Sequence, residues 1–189
     1  TVTDGSGNTS TATQTVTVVD DIDPTITAPA AVTVNVDAGT CEATGVALGS
    51  ATTADNCSVA TTTNDALASY PLGDTTVTWT VTDGSGNTST ATQTVTVVDN
   101  IDPTITAPAA VTVNVDADAC TTAANNVTLG DATTDDNCNV ATVTNDAPNS
   151  FPLGDTTVTW TVTDDAGLTA QATQTVTVVD NIDPTITAP

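Results

Sequence analysis

The chain has 189 residues with no Lys, Arg or His, set against 23 acidic residues, for a formal net charge of −23. Nucleic-acid backbones need Lys or Arg to displace their counterions, and an anionic membrane surface repels such a chain, so both partners are excluded. Without His or Lys there is also no ordinary proton shuttle and no Schiff base, which argues against an enzyme. The self-repulsion of so many like charges has no internal cation to offset it, so compensation must come from salt or bound metal. Thr makes up about a quarter of the sequence, and its apolar residues are mainly Val, Ala and Ile. These are strand formers, and the expected class is all-β. No run approaches the roughly 20 apolar residues of a membrane span.

A repeat dominates the chain order. TVTDGSGNTSTATQTVTVVD begins at Thr1 and returns at Thr80, and a diverged copy begins at Thr161, giving offsets of 79 and 81 residues. The extra two residues lie between Cys120 and Cys138, whose spacing of 18 exceeds the 16 of Cys41 and Cys57. A period near 80 suits a small sandwich rather than a solenoid unit. The strand pattern stops and restarts only at Val-Val-Asp-x-Ile-Asp-Pro, so the boundaries are placed there. Residues 1–19 are the closing hairpin of a preceding repeat, 23–98 and 102–179 are full repeats, and 183–189 is the first strand of a following one. The chain opens in mid-pattern, which predicts further sequence upstream.

Within the first full repeat, Val32, Val34 and Val36 alternate along an early strand, and Tyr70-Pro71-Leu72-Gly73-Asp74 is a turn. A long strand then puts Val77, Trp79 and Val81 on one face and Thr76, Thr78 and Thr80 on the other. Asp83-Gly84-Ser85-Gly86-Asn87 is a hairpin turn, and the last strand turns Ala91, Val95 and Val97 inward. Trp79 is read as core.

These residues resemble the hyalin repeat (HYR) family of immunoglobulin-like extracellular modules. The resemblance rests on Cys41, Asp55-Asn56-Cys57, Tyr70 to Trp79 and Thr82 to Thr88, recurring as Cys120, Asp136-Asn137-Cys138, Phe151 to Asp155 and the altered Asp164-Asp165-Ala166-Gly167-Leu168. It implies tandem Greek-key β-sandwiches of about 80 residues, secreted or at the cell surface. Many family members carry two further cysteines. Ala28 and Ala107 stand in place of one of them, and the last strand lacks the other. Their joint loss implies that the remaining pairs are Cys41–Cys57 and Cys120–Cys138. Each closes a loop of about 15 residues, worth roughly 3 kcal/mol. Disulfides imply an oxidising compartment. If the repeats are independent blocks, every bridge lies within its own repeat.

The topology of such a sandwich groups the acids. The first and last strands both run from a leading to a trailing end, so the 83–87 hairpin and the Asp55-Asn56-Cys57 loop belong to the leading end, and Asp37 and Asp74 to the trailing end. The junction between the full repeats then gathers Asp37, Asp74, Asp99, Asn100, Asp102, Asp135, Asp136, Asp164 and Asp165. The preceding junction gathers Asp20, Asp21, Asp23, Asp55, Asp83, Ser85 and Asn87, and the following one Asp116, Asp118, Asp155, Asp180, Asn181 and Asp183. Ca²⁺ takes six to eight oxygens in irregular geometry, and is expected at these junctions. The preferred ligands are Asp20, Asp21, Asp23, Asp83, Asp99, Asn100, Asp102, Asp164, Asp165, Asp180, Asn181 and Asp183, ahead of Asp37, Asp74, Asp116 and Asp155. The alternative is a set of solvated turns, where Asp, Asn and Gly gather without metal.

Three roles remain. The first is a spacer or stalk in a large secreted or cell-surface adhesin, of a bacterial kind, stiffened by Ca²⁺. The second is the building block of an extracellular filament, in which identical subunits meet end to end or by edge-strand pairing. The third is a carbohydrate-binding accessory module. Carboxylate pairs repeated in turns of every repeat do not make a hydrolase site. Thr-rich outer faces read as uncharged solvent faces, and Asn8, Asn56, Asn87 and Asn126 each begin an Asn-x-Ser/Thr glycosylation pattern.

Overall fold

A computed structural model describes residues 1–188. They contain strands and one short 3₁₀ turn, with no α-helix among the described residues. A short hairpin comes first, β1 (Val2–Thr3) and β2 (Thr9–Ser10). The first full repeat holds β3 (Thr25–Thr27), β4 (Val32–Asn35), β5 (Glu42–Thr44), β6 (Thr52–Ala54), β7 (Val59–Asn64), β8 (Ser69–Pro71), β9 (Gly73–Asp83) and β10 (Thr88–Val98). The second repeats the order with β11 (Thr104–Thr106), β12 (Val111–Asn114), β13 (Thr121–Ala123), β14 (Thr133–Asp135), β15 (Val140–Asn145), β16 (Ser150–Pro152), β17 (Gly154–Asp164) and β18 (Thr169–Val179). Each repeat has a four-stranded sheet, β4-β10-β9-β7 or β12-β18-β17-β15, and two strand pairs, β3-β6 with β5-β8 or β11-β14 with β13-β16. The fold is all-β, built as two sandwich-like repeats of about 80 residues. Residues 183–188 carry no strand, and Pro189, the last residue of the expected further strand, lies outside the described residues.

The chain divides into two compact units. One holds Thr1–Ala31, Ala47–Ala66 and Thr76–Thr94; the other holds Val32–Val46, Leu67–Thr75 and everything from Val95 onward. The division runs through the first repeat. Its trailing-end strands β4, β5 and β8 group with the second repeat.

In the first unit, β7 pairs antiparallel with β9, and β3 with β6. Val77 and Val81 are buried, with Trp79 at 6 % exposure. A buried glutamine anchors this tryptophan: Trp79 Nε1 donates to Gln93 Oε1 (3.0 Å), and Gln93 Nε2 donates to the carbonyls of Ala30 (2.8 Å) and Leu48 (2.9 Å). Gln93 occupies an inward position of the alternating strand, between Ala91 and Val95.

In the second unit one core cluster is Val115, Phe151, Val158, Trp160, Val176 and Val178. Fully burying each valine contributes about 1.5–3 kcal/mol. Parallel pairing of β12 with β18 sets their direction, with Val111 opposite Val176 and Val113 opposite Val178. Trp160 and Gln174 reproduce the anchor, through Ala109 and Leu129.

The disulfide corrects the sequence reading. Cys41 is bonded to Cys138, with Cα atoms 4.7 Å apart, and Cys57 and Cys120 are free. The expected pairs Cys41–Cys57 and Cys120–Cys138 do not form, and the bridge runs from one repeat to the next. The second repeat shows why. Cys120 lies at the trailing-end turn just before β13, which pairs with β16. The chain then runs back through β14, alongside β11, so Cys138 arrives at the leading end. Extended backbone separates the two cysteines of one repeat, and the cysteine within reach of Cys138 belongs to the repeat before it. The repeats are therefore not independent blocks.

Candidate metal centre at the leading end

Two equivalent carboxylate triads form, Asp20-Asp55-Asp83 and Asp99-Asp136-Asp164, and within each, one ligand oxygen per residue lies within 4.8 Å of the others. Each triad combines a linker acid, the acid of the Asp-Asn-Cys loop and the last residue of the long strand.

Local hydrogen bonds fix the carboxylates of the second triad, and that of Asp55, through one oxygen each. Asp136 Oδ2 accepts the N–H groups of Cys138 and Asn139, both at 2.9 Å, folding the loop into a tight turn. Asp55 Oδ2 does the same with Cys57 (2.9 Å) and Ser58 (2.8 Å). Asp99 Oδ1 accepts from Ile101 N (3.1 Å) and Asn137 Nδ2 (3.4 Å). Asp164 Oδ1 accepts from Leu168 N at 2.7 Å. The second oxygens are left over: Asp99 Oδ2, Asp136 Oδ1 and Asp164 Oδ2 are buried without a partner, and so is Asn137 Oδ1. Asp164 itself is only 2 % exposed. Buried carboxylate oxygens without donors are costly, and this chain has no Lys, Arg or His to supply one. Hard, anionic oxygens converging on one point fit a hard cation such as Ca²⁺.

The first triad is more self-sufficient. Asp83 Oδ1 accepts three backbone N–H groups, from Ser85, Gly86 and Asn87, and its Oδ2 accepts Asn87 Nδ2 at 2.7 Å. Its buried oxygens without partners are Asp20 Oδ2 and Asp55 Oδ1. Burial pushes the Asp83 carboxyl upward, but the Asn87 side chain and the turn N–H groups outweigh it and hold it below the usual range. Asp20 is also held low, chiefly by the Asn56 amide and then by Ile22 N–H. The Asp20 carboxylate beside the Cys57 thiol pushes that thiol up. In the second repeat Leu168 replaces Asn87, so Asp164 Oδ2 keeps no donor.

Of the expected ligands, Asp20, Asp83, Asp99 and Asp164 converge. Asp55 and Asp136, assigned to the junctions but not to the preferred set, complete the triads. Asp21, Asp23, Asn100 and Asp102 are exposed and lie outside them. Asp165 instead accepts Asn139 Nδ2 (2.8 Å). Asp180, Asn181 and Asp183 are exposed, and no triad forms around them among the described residues. Asp37, Asp74, Asp116 and Asp155 are taken up by their own repeat, accepting from Thr44, Thr96, Ala123 and Thr177 respectively. Asp-Asn-Cys recurring at the same place in both repeats was the signal for the missed members.

At the same place Asn137 Nδ2 donates to the Thr40 carbonyl at 2.9 Å, beside the Cys41–Cys138 bridge. Asp136, Asn137 and Cys138 thus contribute a carboxylate, an amide and a sulfur to one seat.

The HYR domain matches residues 19–97 and 98–178. Hyalin from Strongylocentrotus purpuratus is 31 % identical over 186 residues, covering 94 % of this chain and 15 % of hyalin. Similar solved structures include Drosophila N-cadherin EC1-4, at 11 % identity and TM-score 0.42, covering 83 % of this chain and 49 % of that one. Mouse cadherin-23 EC22-24 is 15 % identical with TM-score 0.40, covering 86 % and 66 %. A bacterial source gains no support from these matches. With the pattern matched across both full repeats, the chain belongs to the HYR domain family of non-enzymatic extracellular repeats.

Proposed function

We propose that this chain is a spacer segment of a large secreted or cell-surface adhesin, with modules at 23–98 and 102–179 stiffened by Ca²⁺ at their leading ends. On this reading 1–19 closes a preceding module and 183–189 opens a following one. The observation that carries the proposal is the set of buried oxygens without partners, Asp99 Oδ2, Asp136 Oδ1 and Asp164 Oδ2, in a chain without a basic side chain. A cation there joins the linker to two loops of the next repeat and removes their mutual repulsion. Asp99 and Asp136 would be its carboxylate ligands with Asp164, and Asn137 Oδ1 supplies a further neutral oxygen.

The test is thermal unfolding in Ca²⁺, in Mg²⁺ and in NaCl at matched ionic strength. An ion at 100-fold its dissociation constant adds about 2.7 kcal/mol per site. For a chain of this size that raises Tm by about 5–10 °C. Asp164→Asn should remove most of the calcium-specific part, while Asp135→Asn, at an exposed position, should leave it intact. Equal Tm in Ca²⁺ and in matched NaCl refutes the site.

A second reading, a subunit of an extracellular filament joined end to end, draws on the two free, exposed cysteines. A carbohydrate-binding role lacks its platform, because Tyr70, Trp79, Phe151 and Trp160, the four aromatic residues, are all buried.

A further inference from the structure

We propose that the Cys41–Cys138 bridge and the cation site of the Asp99-Asp136-Asp164 triad are coupled, so that reducing the bridge weakens the site and filling the site protects the bridge. The inference rests on the calcium reading and adds redox control of that one site.

The bridge and the triad close the same gap. On one side is the end of β10. Strand β4 runs parallel to it with Asn35 opposite Val98, and Val36 N donates to Val98 O (3.0 Å). The chain leaves β10 directly into Asp99, and it leaves β4 into the turn that carries Cys41, closed by Asp37 N donating to Glu42 O (2.7 Å). Asp99 and Cys41 therefore belong to one local frame. On the other side are the Asp136 to Asn139 loop and the end of β17. Asp165 N donates to Asn139 O (3.3 Å), and Asn139 Nδ2 donates to Asp165 Oδ2 (2.8 Å), so Asp136, Cys138 and Asp164 share a second frame.

The disulfide crosses from one frame to the other, with its Cα atoms 4.7 Å apart. Asn137 Nδ2 crosses as well, donating to Thr40 O (2.9 Å) and, at a longer 3.4 Å, to Asp99 Oδ1. A cation crosses at the same place, held by Asp99 from the first frame and by Asp136 and Asp164 from the second. The oxygens that would take it are buried without partners, and Asp164 is 2 % exposed. With the bridge closed, Asp99 is held beside the other two carboxylates before any cation arrives. With it open, the hydrogen bonds of one amide work against the repulsion of three carboxylates, in a chain with no Lys, Arg or His. The cation must then order the gap as well as bind, and that cost is subtracted from its affinity. Such coupling is reciprocal: the factor that reduction removes from cation affinity is the factor by which the bound cation favours the bridge over its thiols, commonly about 5–150-fold.

Reduction needs a thiol donor, taken here as glutathione. Its thiolate attacks one bridge sulfur, forms a mixed disulfide and expels the other cysteine as a thiolate, which takes up a proton. A second glutathione thiolate attacks the glutathione sulfur of the mixed disulfide and releases the remaining cysteine. One bridge and two glutathione thiols give two protein thiols and one glutathione disulfide. Cys41 and Cys138 are half-buried, open to a small thiol.

The test uses the full chain carrying Cys57→Ser and Cys120→Ser, which replace the two free, exposed thiols and leave the bridge as its one redox couple. It is equilibrated in glutathione buffers of matched ionic strength with Ca²⁺ or with a chelator, and alkylated thiols are counted by mass spectrometry. Saturating Ca²⁺ should shift the equilibrium about tenfold toward the bridge, which is about 30 mV for a two-electron couple. Asp164→Asn should abolish the shift, while Asp135→Asn, at an exposed position, should keep it. Titration calorimetry should find one Ca²⁺ site about tenfold weaker after reduction, with the strands intact by circular dichroism. Equal Ca²⁺ affinity in both redox states, or a shift that survives Asp164→Asn, overturns the coupling and leaves the calcium reading standing. No Ca²⁺ binding sensitive to Asp164→Asn in either state overturns both. A reduced chain that loses its strands also overturns the coupling, because the linkage would then be to folding and not to one shared gap.

Discussion

Removing the Cys41–Cys138 bridge should be the most destabilising change away from the cores. The sequence separation is 97 residues. Closing a loop of that length removes about 16 cal/mol/K from the unfolded chain, or about 4.7 kcal/mol at 25 °C, against about 3 kcal/mol for a bridge within one repeat. The double variant Cys41→Ala/Cys138→Ala should therefore lose about 4–5 kcal/mol, equivalent to a fall in Tm of roughly 10–18 °C. Urea unfolding followed by tryptophan fluorescence provides the assay, since Trp79 and Trp160 report one repeat each. The m-value should rise as well, because the unfolded chain without the bridge is more expanded. Cys57→Ala provides the contrast, with an expected loss under 0.5 kcal/mol because its thiol is free and exposed. If Cys57→Ala instead costs about 3 kcal/mol and the double variant costs no more, the bridges lie within the repeats and the reasoning fails.

Three further outcomes are expected. Gln174→Leu leaves the Trp160 N–H and the Ala109 and Leu129 carbonyls without their partner, and should cost about 2–4 kcal/mol in urea unfolding; a loss below 0.5 kcal/mol would mean that water replaces the amide. Leu168→Asn rebuilds at Asp164 the side-chain cap that Asn87 gives Asp83, and should weaken Ca²⁺ binding at the second triad about tenfold by titration calorimetry, about 1.4 kcal/mol; unchanged affinity would show that Asp164 Oδ2 is not a ligand. Asp118 holds φ at 60° where its counterpart Gly39 has 74°, so Asp118→Gly should raise stability by about 0.5–1 kcal/mol, with a fall counting against strain at this turn.

The strands were legible because their signal is local. Val77, Trp79 and Val81 face one way by alternation alone, and all three are buried. Gln93 shares that inward register, but a polar residue is recognisable as an anchor only once the carbonyls of Ala30 and Leu48 are known to lie opposite it. The acidic linkers were legible as a class and not residue by residue. Along an extended linker successive side chains alternate, so Asp99 can turn toward Asp136 while Asn100 faces solvent. Asp37 and Asp116 were drawn off by turns whose hydrogen bonds depend on backbone conformation. Cysteine connectivity was beyond reach in principle, because four cysteines permit three pairings and only the approach of one repeat to the next selects among them.

That approach explains why Asp136-Asn137-Cys138 stays together as a unit. Asp136 Oδ2 folds the loop and leaves Oδ1 facing the triad, Asn137 fixes the distance to the preceding turn through Thr40 O, and Cys138 makes the contact covalent. Each bond presupposes the geometry set by the others. A carboxylate triad without the staple would hold its linker only while a cation balanced the repulsion, and a staple without the triad would fix one point and leave rotation about it. Asp55-Asn56-Cys57 presents the same three groups in the same order, with its sulfur free.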